Sequence, residues 1–328
     1  MSEKKRILSG MRPTGLLHLG NLHGALANWI QMQDTYDCFY FIADWHALTS
    51  DYENTSNISD YVKSMIIDWL SAGLSPEKST LFVQSHIKEH AELFLILSMI
   101  TPVPWLERNP TYKDQIAQLS DKDLSTFGFL GYPVLQAADI IIYKAQAVPV
   151  GIDQVPHVEI TREIARRFNY LYGNVFPEPE AVLTETSKIL GLDRRKMSKS
   201  YHNAIFLADT PEDIVSKASQ MITDPQRARK SDPGDPGVCN VFEFHKLYSD
   251  PQTVAEVNEQ CRTAKIGCVE CKKKMAKNLV TALEPIREKR KYYENNPQLV
   301  ADIIVSGSNK ARAVAQQTME DVRSALKI

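Results

Sequence analysis

Two short stretches carry residue types that can act on a phosphate-bearing molecule. Near the start, the apolar run Ile7-Leu8-Ser9-Gly10 passes into Arg12-Pro13-Thr14-Gly15-Leu16-Leu17-His18-Leu19-Gly20-Asn21. A strand that ends in Gly and Pro and gives way to a helix presents unsatisfied backbone N–H groups, which favour anions. The helix is predicted from Leu22, Ala25, Leu26 and Trp29, apolar residues three and four apart. His18 and Asn21 add side-chain donors, and Gly10 and Gly20 leave the backbone bare for close approach. Alone, a His and a Gly two apart is a weak signal. The second stretch is Lys196-Met197-Ser198-Lys199-Ser200. Two lysines three apart in a loop can close over a polyphosphate and stabilise charge on a departing pyrophosphate. After Arg194 and Arg195 the same run also reads as a solvated basic turn.

A third constellation suits a small polar ligand with an apolar body. If residues 132–139 are helical, Tyr132, Gln136 and Asp139 share one face. A phenol, an amide and a carboxylate among Val134, Leu135 and Ile140-Ile141-Ile142 are costly to bury unless something satisfies them. Val148 and Val150 wall such a pocket, and Gly151-Ile152-Asp153-Gln154 at a strand end fits a ribose, whose hydroxyls a carboxylate can accept from. Upstream, Cys38-Phe39-Tyr40-Phe41-Ile42-Ala43-Asp44 reads as a buried strand, with His46 just past its carboxyl end, where ligands of parallel sheets sit. Cys38 within it reads as packing. The stretch 106–113, with Pro110 and Lys113, reads as a solvated loop.

The elements that must position these residues change character along the chain. The first 200 residues alternate strand-like runs (7–10, 38–44, 79–84) with helical patterns (59–72 ending at Gly73, then 89–106), which predicts an α/β sheet. From Asp209 onward the pattern is helical, with the cap Thr210-Pro211-Glu212-Asp213, basic residues such as Arg227, Arg229 and Lys230, and an irregular turn at 232–237. A length of 328 residues suits two domains, and 43% hydrophobic residues fill a sizeable core. A net charge of −2 gives no global attraction to nucleic acid, so an RNA partner must be held by local patches. Met1-Ser2-Glu3-Lys4-Lys5-Arg6 has no apolar leader core and no run of 18 apolar residues occurs, so no membrane partner is expected and the chain reads as cytoplasmic.

Four of the five cysteines, Cys239, Cys261, Cys268 and Cys271, fall in the helical part with spacings of x21, x6 and x2. In a reducing compartment four thiols with one close pair predict a metal site, and both Zn2+ and a [4Fe-4S] cluster take four thiolates. Zinc sites usually come as two close pairs; here there is one. Lys272, Lys273, Lys274 and Lys277 follow directly, a basic helix that such a site would brace.

Taken together, these stretches resemble the class I aminoacyl-tRNA synthetases, and within them the bacterial-type tryptophanyl-tRNA synthetases. The residues that carry the resemblance are His18-Leu19-Gly20-Asn21, Lys196-Met197-Ser198-Lys199-Ser200, Ala43-Asp44-Trp45-His46-Ala47-Leu48-Thr49 and the segments 9–15, 106–113, 132–139, 148–154 and 161–169, nearly the whole of the first 200 residues. The resemblance implies a Rossmann-like doubly wound parallel sheet as catalytic domain over residues 1–200. It implies an all-α anticodon-binding domain with the four-cysteine metal site over 201–328. The implied activity is that of a homodimeric ligase using ATP and Mg2+ to activate L-tryptophan and transfer it to tRNA(Trp).

By motif, the resemblance has Asp139 accepting the indole N–H, Tyr132 and Gln154 holding the α-amino group with Gln136 beside them, and Leu8, His46, Val148 and Val150 enclosing the ring. It has Met11, Arg12, Pro13, Thr14, His18, Gly20 and Asn21 along ATP, Gly151, Ile152 and Asp153 on the ribose side, and residues Lys196, Met197, Ser198, Lys199 and Ser200 at the pyrophosphate. Lys113 faces the nucleotide, and Lys196, Lys199, Lys113 and Arg12 are the expected catalytic cations. The cysteine spacing resembles the C-x22-C-x6-C-x2-C [4Fe-4S] site of some members, one residue shorter in its first interval, which favours the cluster over Zn2+. This chain departs from the commonest pattern with Leu19 and Asn21 in the first signature, Arg12 where other members carry Gln, and Ile152 where many carry Glu. A tyrosyl-tRNA synthetase is one alternative, since Asp139 accepts from a phenol as readily as from an indole. A synthetase-like nucleotide-binding metal sensor without aminoacylation is another; intact His18, Asp139, Lys196 and Lys199 argue against it.

Overall fold

The computed structural model describes residues 4–118, 123–184 and 189–328; Met1, Ser2 and Glu3 of the amino-terminal stretch lie outside them. The strands are β1 (Arg6–Met11), β2 (Asp37–Ile42), β3 (Ser79–Val83), β4 (Ala147–Val150) and β5 (Glu180–Leu183). The helices are α1 (Leu19–Asn21), α2 (Ala27–Met32), α3 (Asp44–Asp51), α4 (Ile58–Ala72), α5 (Glu89–Ile100), α6 (Val103–Glu107), α7 (Pro110–Gln118), α8 (Phe127–Ile141), α9 (Val155–Tyr172), α10 (Pro211–Gln220), α11 (Asn240–Tyr248), α12 (Pro251–Arg262), α13 (Cys268–Asn295) and α14 (Pro297–Leu326). They form two compact units, residues 1–15 with 28–185 and 296–328, and residues 16–27 with 186–295.

The first unit is built on the sheet. All of its strand pairs are parallel, in the order β3-β2-β1-β4-β5. The interior strand β2 is buried from Cys38 to Ile42 because helices cover both faces of such a sheet, which is why its sequence is an unbroken apolar run. The chain winds outward one way from β1 and the other way from β4. The carboxyl ends of these two neighbours therefore border the crevice where doubly wound sheets bind ligands. The core joins Leu8, Phe39 and Phe82 of the sheet with Val134, Ala137 and Ile141 of α8 and Ile164 and Phe168 of α9.

The last helix completes this unit. Ala311, Ala315, Met319 and Val322, spaced by four, four and three, are fully buried in the same core. Burying Met319 and Val322 is worth about 1.5–3 kcal/mol each. The helix lies against the edge strand β3 so closely that a Cβ on Gly307 would stand 1.8 Å from the carbonyl oxygen of Leu81. His86 Nδ1 and Ser308 Oγ, 3.2 Å apart, and the Arg312 guanidinium, 2.8 Å from the His86 carbonyl, pin the same face.

The second unit is helical, as the residues after Asp209 predict. Thr210 and Asp213 cap α10 reciprocally: Thr210 Oγ accepts from the Asp213 N–H at 3.1 Å, and the Asp213 carboxylate accepts from the Thr210 N–H. Segment 17–19 pairs with 205–207 through Leu19 N–H to the Ile205 carbonyl, 3.0 Å, and Leu207 N–H to the Leu17 carbonyl, 2.9 Å.

Three expectations differ from what folds. Residues 106–113 are not a loop: α6 ends at Glu107 and α7 opens on Pro110, whose fixed φ and missing N–H suit a first helical turn. The helix after Asn21 begins with a π-turn, Leu22–Leu26, before α2 continues. The compact units also divide the chain otherwise than one cut after residue 200, because α14 returns to β3 and the segment around His18 pairs with residues 205–207. Among the described residues no helix is long and apolar enough to cross a membrane.

Candidate active site

In the first unit the expected amino-acid residues gather at the carboxyl ends of β1, β2 and β4. Leu8 is buried in β1, Val148 and Val150 are buried in β4, and His46 lies in the first turn of α3, just past β2. Tyr132, Gln136 and Asp139 do share one side of α8, which starts at the cap Thr126 and carries Pro133 within it. Arg12, just after β1, donates to Ser50 Oγ at 3.2 Å. Beyond β4, Ile152–Gln154 form a single 3-10 turn in which Ile152 is 75% exposed and Gln154 donates to the Asp153 carboxylate at 2.9 Å. Lys113 is exposed on α7, Thr14 is exposed, Pro13 is buried, and Met11 closes β1.

Asp139 is not alone in its pocket. Only 1% exposed, it accepts from three protein side chains. Its Oδ2 is 2.7 Å from His46 Nε2, its Oδ1 is 2.5 Å from His90 Nδ1, and Gln84 Nε2 lies 2.9 Å from both oxygens. Burial pushes the carboxylate up, but the His90 and His46 rings outweigh it, and the group is held below the ordinary carboxylate range. Gln84 in turn accepts from the Trp45 and His46 backbone N–H groups, so one amide ties the start of α3 to the carboxylate. His46, expected as a wall, thus also serves as a donor.

Tyr132 stands edge-on to His157, its hydroxyl 3.5 Å from Nε2, and Tyr112 stacks over it from α7. Burial, with a smaller push from His46 against a pull from Asp153, holds His157 down at about 4, so the imidazole is neutral at physiological pH. Gln84, His90 and His157 carry no motif of their own, and Tyr112 lies in the 106–113 stretch without an expected role. The one signal for them in the sequence is polar residues in apolar context: Gln84 at the end of β3, and His90 on the mostly apolar α5.

In the second unit, His18, Gly20 and Asn21 form the helix start, with the Asn21 side chain accepting from the His18 backbone N–H at 3.0 Å. A Cβ on Gly20 would stand 2.9 Å from His18 Cε1 and Nδ1, so the ring occupies the space that any side chain there would need. His18 Nδ1 is buried without a hydrogen-bond partner among the described residues. Burial, then Lys199 and Lys196, hold His18 down at about 4, which places the two lysines within electrostatic reach of its ring. Their loop is anchored from within: Met197 is buried, and the Asn203 carboxamide accepts from the Ser198 N–H at 2.9 Å and donates to Asp193 at 2.6 Å. Lys196 and Ser200 point to solvent. The structure therefore brings the two signatures together and supports both on one short backbone pairing.

The four cysteines all lie in the second unit. Cys239 precedes α11, Cys268 opens α13 with Cys271 one turn on, and Cys261 ends α12. Burial pushes the Cys271 thiol up to about 12, and the other three thiols add to it, so all four sit within electrostatic reach. Arg227 Nη1 lies 3.9 Å from both Cys261 and Cys268 Sγ. The expected metal site is nonetheless not closed: the thiols are free, and among the described residues no three His, Cys, Asp or Glu side chains stand as ligands of one ion. Beside Cys268 is a pocket of about 500 Å³ lined by Thr223, Arg227, Arg229, Lys230 and Lys273.

A parallel sheet with its ligand residues beyond β1 and β4, a His-x-Gly-Asn helix start and a K-M-S-K-S loop together define a class I aminoacyl-tRNA synthetase. The sequence model of the family described as tRNA synthetases class I (W and Y) matches residues 1–284, and the chain belongs to that family. It is 54% identical to the tryptophan–tRNA ligase of Thermotoga maritima over 98% of this chain and 99% of that one. To that of Aquifex aeolicus it is 46% identical, over 98% and 100%. The crystal structure of the Campylobacter jejuni tryptophanyl-tRNA synthetase complexed with ADP and tryptophan superimposes with a TM-score of 0.91 at 34% identity, covering 98% of this chain and all of that one.

Proposed function

We propose that this chain is a tryptophan–tRNA ligase that joins L-tryptophan to ATP, releasing pyrophosphate, and passes the aminoacyl group to tRNA(Trp). The observation that carries the reading is the buried carboxylate of Asp139 in a chain similar end to end to tryptophan–tRNA ligases, since the carboxylate by itself accepts from a phenol as readily as from an indole. Its neighbours are donors, so it stays ionised and can only accept, which matches an indole N–H that can only donate. End-to-end similarity to tryptophan–tRNA ligases supports the same reading.

Tyr132 and Gln154 take the α-amino group, and Leu8, His46, Val148 and Val150 enclose the ring. The substrate carboxylate attacks the α-phosphate of ATP, which enters as its Mg2+ complex. The protein supplies position and charge rather than a nucleophile. His18, Gly20 and Asn21 hold the nucleotide from the helix start, with Met11 to Thr14 and Gly151 to Asp153 along its other parts. Lys196 and Lys199, with Lys113 and Arg12, act on the negative charge that grows as pyrophosphate leaves. Arg229, Lys230 and Lys273 meet tRNA phosphates, which position the RNA without specifying it. The protein works in the cytoplasm, where charged tRNA is consumed. Its pairing as a homodimer is supported by the exposed apolar residues Leu95, Met99, Val103 and Phe127.

Pyrophosphate exchange measured with each amino acid in turn tests the assignment. Tryptophan alone should drive it, and Asp139→Ala should lower kcat/KM for tryptophan by about 10²-fold or more. Exchange driven by tyrosine, or unchanged by the substitution, would overturn the reading.

Cys239, Cys261, Cys268 and Cys271 would hold a [4Fe-4S] cluster, whose bound iron would brace the start of the basic helix α13. What supports it is the spacing of the four cysteines, with Cys268 at the start of α13 and Arg227 as a positive charge beside Cys261 and Cys268, although among the described residues no three such side chains stand as ligands of one ion. Protein purified without oxygen should be brown with about four irons per chain. A colourless product with one zinc keeps the site but not the cluster.

A further inference from the structure

The group behind Asp139 is a chain of side chains that the ligase chemistry does not itself require. His90 is fully buried on α5, and its Nε2 lies 2.6 Å from the hydroxyl of Tyr143, also fully buried. Phe41, Phe82 and Tyr143 surround its ring. Nδ1 carries the hydrogen that it donates to Asp139 Oδ1, which leaves Nε2 to pair with the Tyr143 hydroxyl. Tyr143 keeps its proton, since burial first and the Asp139 charge second push its ionisation well above the ordinary range.

The two oxygens of Asp139 differ in their access. Oδ1 is served by His90, whose side chain is 0% exposed, whereas Oδ2 is served by His46, whose side chain is 11% exposed and lies beyond the carboxyl end of β2. Gln84 bridges both from the buried side. A carboxylate offers about four acceptor directions and these contacts take them, so an indole N–H must replace a donor, and His46 at Oδ2 is the more accessible of the two histidines.

We propose that His90, backed by Tyr143, is a positioning residue for tryptophan selection: it pins Oδ1 so that Asp139 offers Oδ2 to the indole N–H. This rests on the reading that Asp139 accepts that N–H. His90 touches no substrate; it acts through the carboxylate. Losing its bond frees the carboxylate to rotate and leaves a buried anion short of a donor.

The test compares tryptophan with 3-(benzothien-3-yl)alanine, in which sulfur replaces the ring N–H at nearly constant shape, by kcat/KM in pyrophosphate exchange. The native enzyme should prefer tryptophan. In His90→Phe that preference should fall about 10- to 100-fold, the scale of a hydrogen bond to a charged group, with the analogue's kcat/KM little changed. His90→Asn, which can return an N–H toward Oδ1, should restore most of the preference, and Tyr143→Phe should lose part of it. A purely structural role would lower both amino acids equally and leave the ratio untouched, which overturns the proposal, as does a His90→Asn variant as indifferent as His90→Phe. If His90→Phe does not fold, Tyr143→Phe decides by the same ratio. A native enzyme without any preference removes the Asp139 reading itself; a preference that survives every variant removes only the role of His90.

Discussion

At the scale of single residues, the first signature depends on what Gly20 lacks. Its missing Cβ leaves room for a His18 ring held by packing, its Nδ1 without a hydrogen-bond partner among the described residues. Gly20→Ala should displace that ring and lower kcat/KM for ATP in exchange by about tenfold or more while tryptophan binding, followed by fluorescence, stays near native. Unaltered ATP kinetics would show that the ring does not serve the nucleotide. His157 makes a different prediction. Its folded pKa of about 4 lies below the ordinary 6.5, so the unfolded chain takes up the proton first. The stability it contributes is complete above 6.5 and is lost as pH falls from there through 4. Urea midpoints measured across that window should fall less steeply in His157→Gln than in the native protein, and parallel curves would refute the assignment. Residue types and spacing single out His18, Asp139 and the two lysines as candidates, and the resemblance to the family gives them their expected roles. Gln84, His90 and Tyr143 are not, because they are brought to Asp139 by the β3–α5–α8 arrangement rather than by a local pattern.

At the scale of elements, the apolar runs of β2 and β3 and the face of α8 are readable, since a period of two, none at all, or 3.6 leaves its mark on a sequence. The π-turn at Leu22–Leu26 is not, because one added residue per turn leaves the apolar spacing nearly intact. Pro110 misleads in the other direction: it punctuates loops, yet here it opens α7. The most exacting contact between elements is Gly307 against Leu81. Gly307→Ala should force α14 off β3 and destabilise the first unit by about 1–3 kcal/mol, the usual cost of overpacking, seen as a lower urea midpoint. Helical propensity alone predicts the opposite sign, a gain of about 1 kcal/mol from Gly to Ala, so the direction of the shift decides between propensity and packing.

At the scale of the whole chain, composition sets size and class but not the path. The helical pattern from Asp209 onward is correct for both the bundle of the second unit and α14, and nothing in an amphipathic stripe names the surface it will cover. That return of the last helix to the sheet has a consequence for biosynthesis. Translation delivers β1 to β5 long before α14, so the backbone edge of β3 emerges from the ribosome with its cover still unmade. An unprotected strand edge is a template for pairing with other chains, and contacts between residues 81 and 307 are among the slowest kind to form. The first unit can close only once the codons for α14 have been read. Ribosomes that stall or terminate within the 30 codons of α14 would therefore release, not a slightly shortened enzyme, but a nascent sheet with an open flank, the form that chaperones and proteases of the cell must intercept.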